Sequence, residues 1–408
     1  MKHWFYLEPY TFLFRNGHEA VVYNTLNGAY LKCPEVPEIE HILDVWDDAA
    51  NGYGILLDET DLKKQTVRDF IHEVRDTFSG DCVEHVSGTA LPYLFKPTLF
   101  LNVEIRVKEE KEKTSLGEHI LENLNEVTLF FSGKCNKGCR ECSAYFRQMD
   151  HCTVFEREEE LPRETYVRLL RQLQQTGIQK VNFCAGGDPI ANRKCVSLLS
   201  EFSRSAFKKH LWLDGAFLND AYIDLSQATD SVLEVSVCPS RDGDWTRWIQ
   251  EWQYPGIRWK VLVTDEADME RIAHADIPET VSMQIYPFFT GTNWDFFRDY
   301  VFVNKEDLLA EPVSRKTIFR HRALNDQFFG KLYLTPEGDI YPNMNGHPLG
   351  NIREMALKEA VYKEIAEGAY WLKTRHEAEP CRNCVNRDLC PSISNYELVT
   401  GKTDLCRI

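Results

Sequence analysis

The feature that most constrains the fold is an alternation of short apolar segments with amphipathic ones, which begins near residue 126. The apolar segments read as six strands, and the segments between them place apolar residues three and four positions apart, as helices do. The predicted strands are Val127–Phe131, Val181–Cys184, Leu211–Leu213, Val232–Val237, Trp259–Val263 and Val281–Tyr286. The predicted helices are Arg163–Thr176, Asn192–Phe202, one near Trp245–Trp252 and one near Asp268–His274. This alternation predicts an α/β fold with a parallel sheet or barrel, whose ligands bind at the carboxyl ends of the strands.

Three cysteines follow the first predicted strand, at spacings that bring their thiolates together from one loop. Cys135, Cys139 and Cys142 are separated by three and two residues. A complete four-iron cage uses four thiolates, so three leave one iron open to chelate a ligand. The alternative is a zinc site, which prefers four closed ligands and would recruit His151 or Cys152 as the fourth.

This three-cysteine motif resembles that of the radical S-adenosylmethionine (SAM) superfamily. A second motif, Gly186-Gly187-Asp188-Pro189, follows the second strand and resembles the family's Gly-Gly-Glu-Pro. The resemblance implies a partial (β/α)6, TIM-like barrel with a SAM-binding 4Fe-4S cluster on the three cysteines. It also implies that the second motif binds SAM, and that Ser236 and Arg247 contact the SAM ribose and carboxylate. Two positions depart from the family pattern, Glu141 in place of an aromatic residue and Asp188 in place of glutamate.

Four more cysteines form a second group near the end of the sequence: Cys381, Cys384, Cys390 and Cys406. Four thiolates also suit structural zinc, which is the alternative for this group. Their spacing, and a predicted hairpin at Leu332–Thr335 and Asp339–Tyr341, resemble the SPASM extension of peptide-modifying radical SAM enzymes. Full extensions carry two auxiliary clusters, but two expected cysteine positions hold Asn343 and Ser394. The resemblance therefore implies one auxiliary 4Fe-4S cluster, the outer one, and two clusters in the whole chain. The other cysteines are predicted to be buried apolar residues, apart from Cys152.

The first 90 residues form a separate predicted unit with its own core. It comprises strand-like stretches at Phe5–Phe14 and Glu19–Leu31, a helix from Pro37, and a helix bearing Val67–Phe78. The unit resembles the winged-helix element with which peptide-maturing enzymes bind a leader peptide by strand addition. The alternative is a structural lid or dimerisation domain. A charged run at 106–114 predicts a linker, and the division is a leader-recognition domain at 1–104, a linker at 105–124, a barrel at 125–310 and a cluster-binding extension at 311–408.

Composition excludes several classes of partner. A formal net charge of −16 argues against nucleic acid and favours a basic or neutral partner. No run of residues is apolar enough to predict a membrane span, and no export signal is recognisable at the start. We therefore expect a cytoplasmic protein whose 13 cysteines are reduced and available as ligands.

Together, the resemblances imply an enzyme that reductively cleaves SAM and uses the 5′-deoxyadenosyl radical to install a thioether or carbon–carbon crosslink in a ribosomally made precursor peptide. The implied partners are that peptide and a reductant such as flavodoxin or ferredoxin. Because the cofactors supply the difficult chemistry, no catalytic side-chain triad is expected. Two alternatives stay open: a catalytically degenerate relative that presents a leader peptide to a partner enzyme, and an enzyme that activates another protein.

Overall fold

The computed structural model describes residues 1–17, 19–48, 51–88, 92, 119–132, 145–152, 160–186 and 188–408. Within these ranges the strands, numbered in chain order, are β1 His3–Leu7, β2 Thr11–Asn16, β3 Glu19–Asn24, β4 Tyr30–Lys32, β5 Gly54–Leu57, β6 Gly80–Glu84, β7 Glu126–Phe130, β8 Lys180–Cys184, β9 Lys208–Asp214, β10 Ser231–Val237, β11 Ile257–Val263, β12 Met283–Pro287, β13 Lys331–Leu334, β14 Asp339–Tyr341 and β15 Gly350–Asn351. The helices are α1 Pro37–Asp47, α2 Glu59–Lys63, α3 Gln65–Asp76, α4 Arg163–Leu173, α5 Arg193–Glu201, α6 Asp220–Thr229, α7 Trp245–Glu251, α8 Glu266–Ala273, α9 Trp294–Tyr300, α10 Lys305–Leu309, α11 Arg315–Ala323, α12 Leu357–Glu367 and α13 Asn395–Thr400.

A nine-stranded sheet forms the centre of the molecule. The strands β7 to β12 lie side by side in chain order and are all parallel, and a helix lies between each consecutive pair. The predicted α/β fold with a large parallel sheet is confirmed. On the other side of β7, β13 pairs in parallel and continues into the antiparallel strands β14 and β15, so the predicted hairpin extends the same sheet.

The two faces of the parallel strands differ in chemistry, because successive side chains point to opposite sides. One face contributes apolar residues such as Leu233, Val235 and Val261 to the main core, against helices such as α4. The other face carries polar residues, including buried Glu234 and Lys260. Polar side chains on one face of a sheet can line a ligand-binding site there.

The N-terminal segment forms two small antiparallel sheets rather than one. The strand β1 lies between β5 and β6, whereas β3 lies between β2 and β4. Helices α1 and α3 pack on these strands around a core that includes Phe5, Trp46 and Phe70. The prediction that each of the two strand-like stretches forms one continuous strand was wrong. The stretch at 5–14 breaks at a turn in which the Thr11 N–H donates to the Glu8 carbonyl at 2.9 Å, and the stretch at 19–31 breaks at a turn ending at Gly28, which has a φ of +75°.

The sheet β2–β3–β4 packs on the C-terminal part of the chain. Phe12, Phe14 and Tyr23 form one buried cluster with residues of α11 and with Val385 and Leu389. Among the described residues, no helix has the length and apolar character needed to cross a bilayer.

Candidate functional site

The residues of the three-cysteine motif, Cys135, Cys139 and Cys142, lie outside the described residues, as do Glu141 and Gly187. Their place in the chain is after β7, which lies between β8 and β13 in the sheet. The predicted cluster ligands therefore stay a prediction from the sequence.

The second motif follows β8, at the carboxyl edge of the sheet. Gly186 has a φ of +77°, a conformation that side chains rarely adopt, and Pro189 is buried in a short 3-10 turn. Asp188 caps this turn, because its Oδ1 accepts a hydrogen bond from the Ile190 N–H at 3.1 Å. The same oxygen accepts a hydrogen bond from the hydroxyl of Tyr222 on α6. Asp188 is thus held in a fixed position at the edge where a ligand is expected.

Ser236 and Arg247 were predicted to act together, and the structure places them differently. Ser236 is buried near the carboxyl end of β10, where its hydroxyl donates to the Leu213 carbonyl at 3.2 Å. Arg247 lies on α7 with its side chain 75% exposed, and its Nε is 3.8 Å from Glu251. In this structure the guanidinium of Arg247 takes part in a surface pair, and its predicted contact with SAM stays a prediction.

A different arginine, Arg241, lies at this edge. Its guanidinium pairs with Asp214, the last residue of β9, at 3.2 Å and with Asp242 at 2.8 Å. Asp242 also accepts the Cys238 N–H at 2.7 Å, just after β10. Sequence reasoning missed this group, although an acidic residue that ends a strand and precedes glycine was a usable signal.

A cavity of about 350 Å³ opens on the polar face of the sheet. It is lined by Glu126, Gln148, Met149, Asp150, His151, Lys180, Trp212, Glu234, Arg258, Lys260, Gln284, Tyr286, Gln327, Phe328, Lys331, Ser394, Asn395 and Tyr396. His151 is one of the two candidate fourth ligands for zinc. Its ring stacks on the ring of Trp212, with 4.0 Å between the ring centroids. The other candidate, Cys152, packs beside the apolar cluster of Met149 and Phe288.

Glu234 is the most buried charge in this cavity. Its carboxylate lies 2.7 Å from His210 Nδ1, 3.2 Å from Lys260 Nζ and 3.8 Å from Arg258. Burial alone would raise the pKa of Glu234, but the hydrogen bond with His210 and the charge of Lys260 outweigh burial and lower the pKa. The carboxylate therefore stays ionised at neutral pH. These polar positions alternate along neighbouring strands, a signal that sequence reasoning did not use.

Asp150, eight residues after Cys142, connects this cavity to the C-terminal segment. Its carboxylate accepts hydrogen bonds from Tyr333 at 2.8 Å, Asn395 at 3.1 Å and Lys331 at 3.3 Å. Burial opposes ionisation of Asp150, but the charge of Lys331 and the Tyr333 hydroxyl lower its pKa overall. Asp150 is thus held by residues of β13 and α13.

Asn343 and Ser394, where the family pattern expects cysteines, take part in hydrogen bonds. The Asn343 amide donates to Asn395 Oδ1 at 2.8 Å, and Asn345 donates to the Asn343 side chain at 3.0 Å. Ser394 caps α13 through Glu397, to which its backbone N–H donates at 2.7 Å. Both side chains therefore have structural partners in this part of the fold.

The structure brings all four C-terminal cysteines to one place. Cys381, Cys384, Cys390 and Cys406 line a single cavity of about 340 Å³. Among the described residues, no group of three His, Cys, Asp or Glu side chains is arranged to hold a metal ion. Burial raises the pKa of Cys390 to about 12, and it raises that of Cys381 against the opposing charge of Arg375. These thiols are therefore protonated at neutral pH unless a metal centre binds them.

The remaining cysteines behave largely as predicted. Cys33, Cys184, Cys195 and Cys238 are buried, whereas Cys82 and Cys152 are partly exposed. Burial raises the pKa of Cys33 to about 12, so its thiol is protonated and acts as a small apolar group.

Residues 125–240 match a protein family described as a 4Fe-4S single cluster domain. The matched segment contains the three cysteines of the first motif and the strands β7 to β10. No curated protein matches the chain. The match falls on the segment where the sequence predicts an iron–sulfur cluster.

Several solved structures are similar to this chain, though remotely. SuiB from Streptococcus suis bound to the precursor peptide SuiA is 13% identical, with a TM-score of 0.48, and the match covers 99% of this chain and 100% of that one. SuiB bound to S-adenosylmethionine is 12% identical, with a TM-score of 0.39 and full coverage of both chains. The protein anSMEcpe with bound AdoMet is 14% identical, with a TM-score of 0.42, over 65% of this chain and 84% of that one.

Proposed function

We propose that this chain is a radical SAM enzyme that installs a thioether or carbon–carbon crosslink in a precursor peptide. The observation that carries the proposal is the family match over residues 125–240, because that segment contains both the three-cysteine motif and Gly186-Gly187-Asp188-Pro189. Both motifs follow parallel strands at the edge where α/β folds bind ligands.

Cys135, Cys139 and Cys142 would hold the cluster that binds SAM, and Gly186, Gly187, Asp188, Pro189 and Ser236 would contact SAM itself. Arg247 would contact SAM as the resemblance implies, and Arg241 is a further candidate because its guanidinium is held at the strand ends by Asp214 and Asp242. When bound, these groups would supply a 5′-deoxyadenosyl radical, and an auxiliary cluster would accept the electron released as the substrate closes its new bond.

Cys381, Cys384, Cys390 and Cys406 would hold that auxiliary cluster. One feature of the chain supports a common site for them: the four thiols line a single cavity, and a 4Fe-4S cluster takes four thiolates. The amide network around Asn343 and Asn395 supports the proposal that only one auxiliary cluster is present.

The protein's own contribution would be to orient the peptide and exclude water. The parallel strands β7 to β12 would curve into a partial (β/α)6 barrel, with the cavity at Glu234 and Trp212 on its inner face. Asn395 and Tyr396 on α13 line this cavity from the C-terminal side. A peptide side chain placed there would be held among fixed charges and aromatic rings.

The N-terminal segment would recognise the leader of the peptide as a winged-helix-like domain. Its strands β5 and β6 lie at the edges of a three-stranded antiparallel sheet, and such edges can accept an added strand. Acidic residues outnumber basic ones by more than two to one in residues 1–88, which favours a basic leader. The proposed division is 1–104 for this domain, 105–124 for a linker, 125–310 for the barrel and 311–408 for the extension.

The proposal is tested by incubating the reconstituted, reduced enzyme with SAM and a candidate precursor peptide under anaerobic conditions. We expect a modified peptide that has lost two hydrogen atoms, detected by mass spectrometry, together with 5′-deoxyadenosine. The Cys139→Ala variant should form neither product. An enzyme that binds the peptide but contains no iron would instead support a leader-presenting protein.

A further inference from the structure

The side chain of Arg375 lies beside the C-terminal cysteines and contacts three of the segments that carry them. Its Nη1 donates to Cys381 Sγ at 3.3 Å and to the Thr403 carbonyl, three residues before Cys406, at 3.0 Å. Its Nε donates to the carbonyl of Pro391, which follows Cys390, at 2.6 Å. One guanidinium therefore fixes the spacing of chain segments that sequence alone leaves far apart.

Arg375 is itself held by a buried carboxylate. Its Nη1 lies 2.9 Å from Glu397 Oε1, and the two side chains are 11% and 3% exposed. The other oxygen of Glu397 accepts hydrogen bonds from the backbone N–H and the hydroxyl of Ser394, at 2.7 and 3.0 Å. Because Ser394 anchors Glu397 and Glu397 anchors Arg375, the guanidinium has little freedom to leave the sulfur. Buried charges of this kind are costly unless they are paired and hydrogen-bonded, as these are.

We propose that Arg375 is a positioning residue that donates a hydrogen bond to the Cys381 sulfur and raises the reduction potential of the auxiliary cluster, while Glu397 partly offsets this effect. The inference rests on the proposed function, since it assumes a 4Fe-4S cluster on the four C-terminal cysteines. Beyond that function, it names two residues that set the reduction potential of the cluster, and it states whether each raises or lowers that potential.

The direction follows from charge. A cluster gains negative charge when it is reduced, so a nearby cation and a hydrogen bond to a ligand sulfur stabilise the reduced state. Removal of the cation should therefore lower the potential. Neutralising Glu397 removes a negative charge from the same place, so the potential should rise.

The test compares three variants of the full-length reconstituted enzyme: Arg375→Gln, Glu397→Gln and Arg382→Gln. Arg382 follows Cys381 in the chain, but its side chain is 58% exposed and pairs with Glu379, which makes it a matched control. Iron content is measured first, on the wild type and on a Cys384→Ala, Cys390→Ala double variant. The midpoint potential of the auxiliary cluster is then followed by electron paramagnetic resonance during a redox titration, in a background that carries Cys139→Ala so that only this cluster contributes.

We expect a lower potential in Arg375→Gln, a higher one in Glu397→Gln and no change in Arg382→Gln. If Arg375→Gln fails to retain its cluster, the rise in Glu397→Gln still decides the question. Unchanged potentials in an enzyme that contains the cluster would overturn the inference and leave the proposed function intact. An iron content that the double cysteine variant does not reduce would instead overturn the auxiliary cluster itself.

Discussion

At the residue scale, Asp188 is held by one side-chain hydrogen bond from Tyr222 in addition to the backbone N–H of Ile190. The Tyr222 hydroxyl donates to the carboxylate that caps the turn after β8. Tyr222→Phe removes this hydrogen bond but keeps the ring in the core, where the residue is 1% exposed. We expect SAM to bind about tenfold more weakly, which corresponds to the ~1.4 kcal/mol that a hydrogen bond to a charged group can contribute.

The measurement for this prediction is isothermal titration calorimetry of the reconstituted protein with SAM. Tyr23→Phe is the matched control, because that tyrosine is also buried but its hydroxyl accepts from the Val313 N–H, far along the chain from the second motif. Equal affinities in wild type and Tyr222→Phe would show that Asp188 takes no part in binding SAM.

Glu234 gives a second prediction at this scale. Glu234→Gln would leave Lys260 and Arg258 without their carboxylate, so we expect the free energy of unfolding to fall by about 3–5 kcal/mol at pH 7. The same change at Glu251, which is 52% exposed beside Arg247, should cost less than about 1 kcal/mol. Urea denaturation measures both values.

The pH dependence of this effect has a defined sign. The folded protein lowers the pKa of Glu234, so its ionised form adds stability above the unfolded pKa of about 4.3, and this stability is lost as the pH falls through the lower, folded pKa. The difference between wild type and Glu234→Gln should therefore shrink in acid. A difference that stays constant between pH 7 and pH 3 would contradict the assignment.

At the scale of elements, the sheet β2–β3–β4 covers the loop that carries two of the C-terminal cysteines. The Tyr30 hydroxyl donates to Asn386 at 2.9 Å, and Asn386 lies between Cys384 and Cys390. Phe14 is 5% exposed in the cluster that also contains Val385 and Leu389. The N-terminal segment therefore shields the proposed auxiliary cluster from solvent.

This contact predicts the effect of Phe14→Ala. The substitution should destabilise the protein by about 3–5 kcal/mol and should also speed the loss of iron to a chelator from the auxiliary cluster. Phe70→Ala, in the separate core around Trp46, should have a similar cost in stability but leave the rate of iron loss unchanged. Iron release followed by absorbance tests the pair, and equal rates in both variants would contradict a shielding role.

Strands and helices were predictable where the periodicity of apolar residues and the residues at the ends of the element indicated the same structure. The strands β7, β8 and β10 and the helix α1 lie within a few residues of their predicted bounds, because apolar periodicity and a proline at the helix start mark them clearly. Helix α6 was missed, because its residues Asp220–Thr229 include few apolar side chains at helical spacing. The break in the first predicted strand was missed, although Glu8 and Pro9 mark it, because the residues on both sides are rich in aromatic side chains typical of strands.

At the scale of the whole molecule, contacts between distant segments were the part that sequence could not provide. Nothing in the spacing of residues indicates that β13 joins the sheet beside β7, that Asn395 reaches Asp150, or that Arg375 reaches Cys381. The cysteine groups were recognisable because ligand spacing is local. The pairing of Arg241 with Asp214 was not, since it depends on two neighbouring strands ending at the same edge.

The central claim is that the cluster after β7 cleaves SAM, and one measurement tests it most directly. Reconstituted enzyme is reduced with dithionite under anaerobic conditions, SAM is added, and 5′-deoxyadenosine is quantified by chromatography. An enzyme with two clusters should contain about eight irons and form deoxyadenosine, whereas Cys139→Ala should form none. Undiminished deoxyadenosine in Cys139→Ala, or none in a wild-type enzyme that contains its full iron, would contradict the claim.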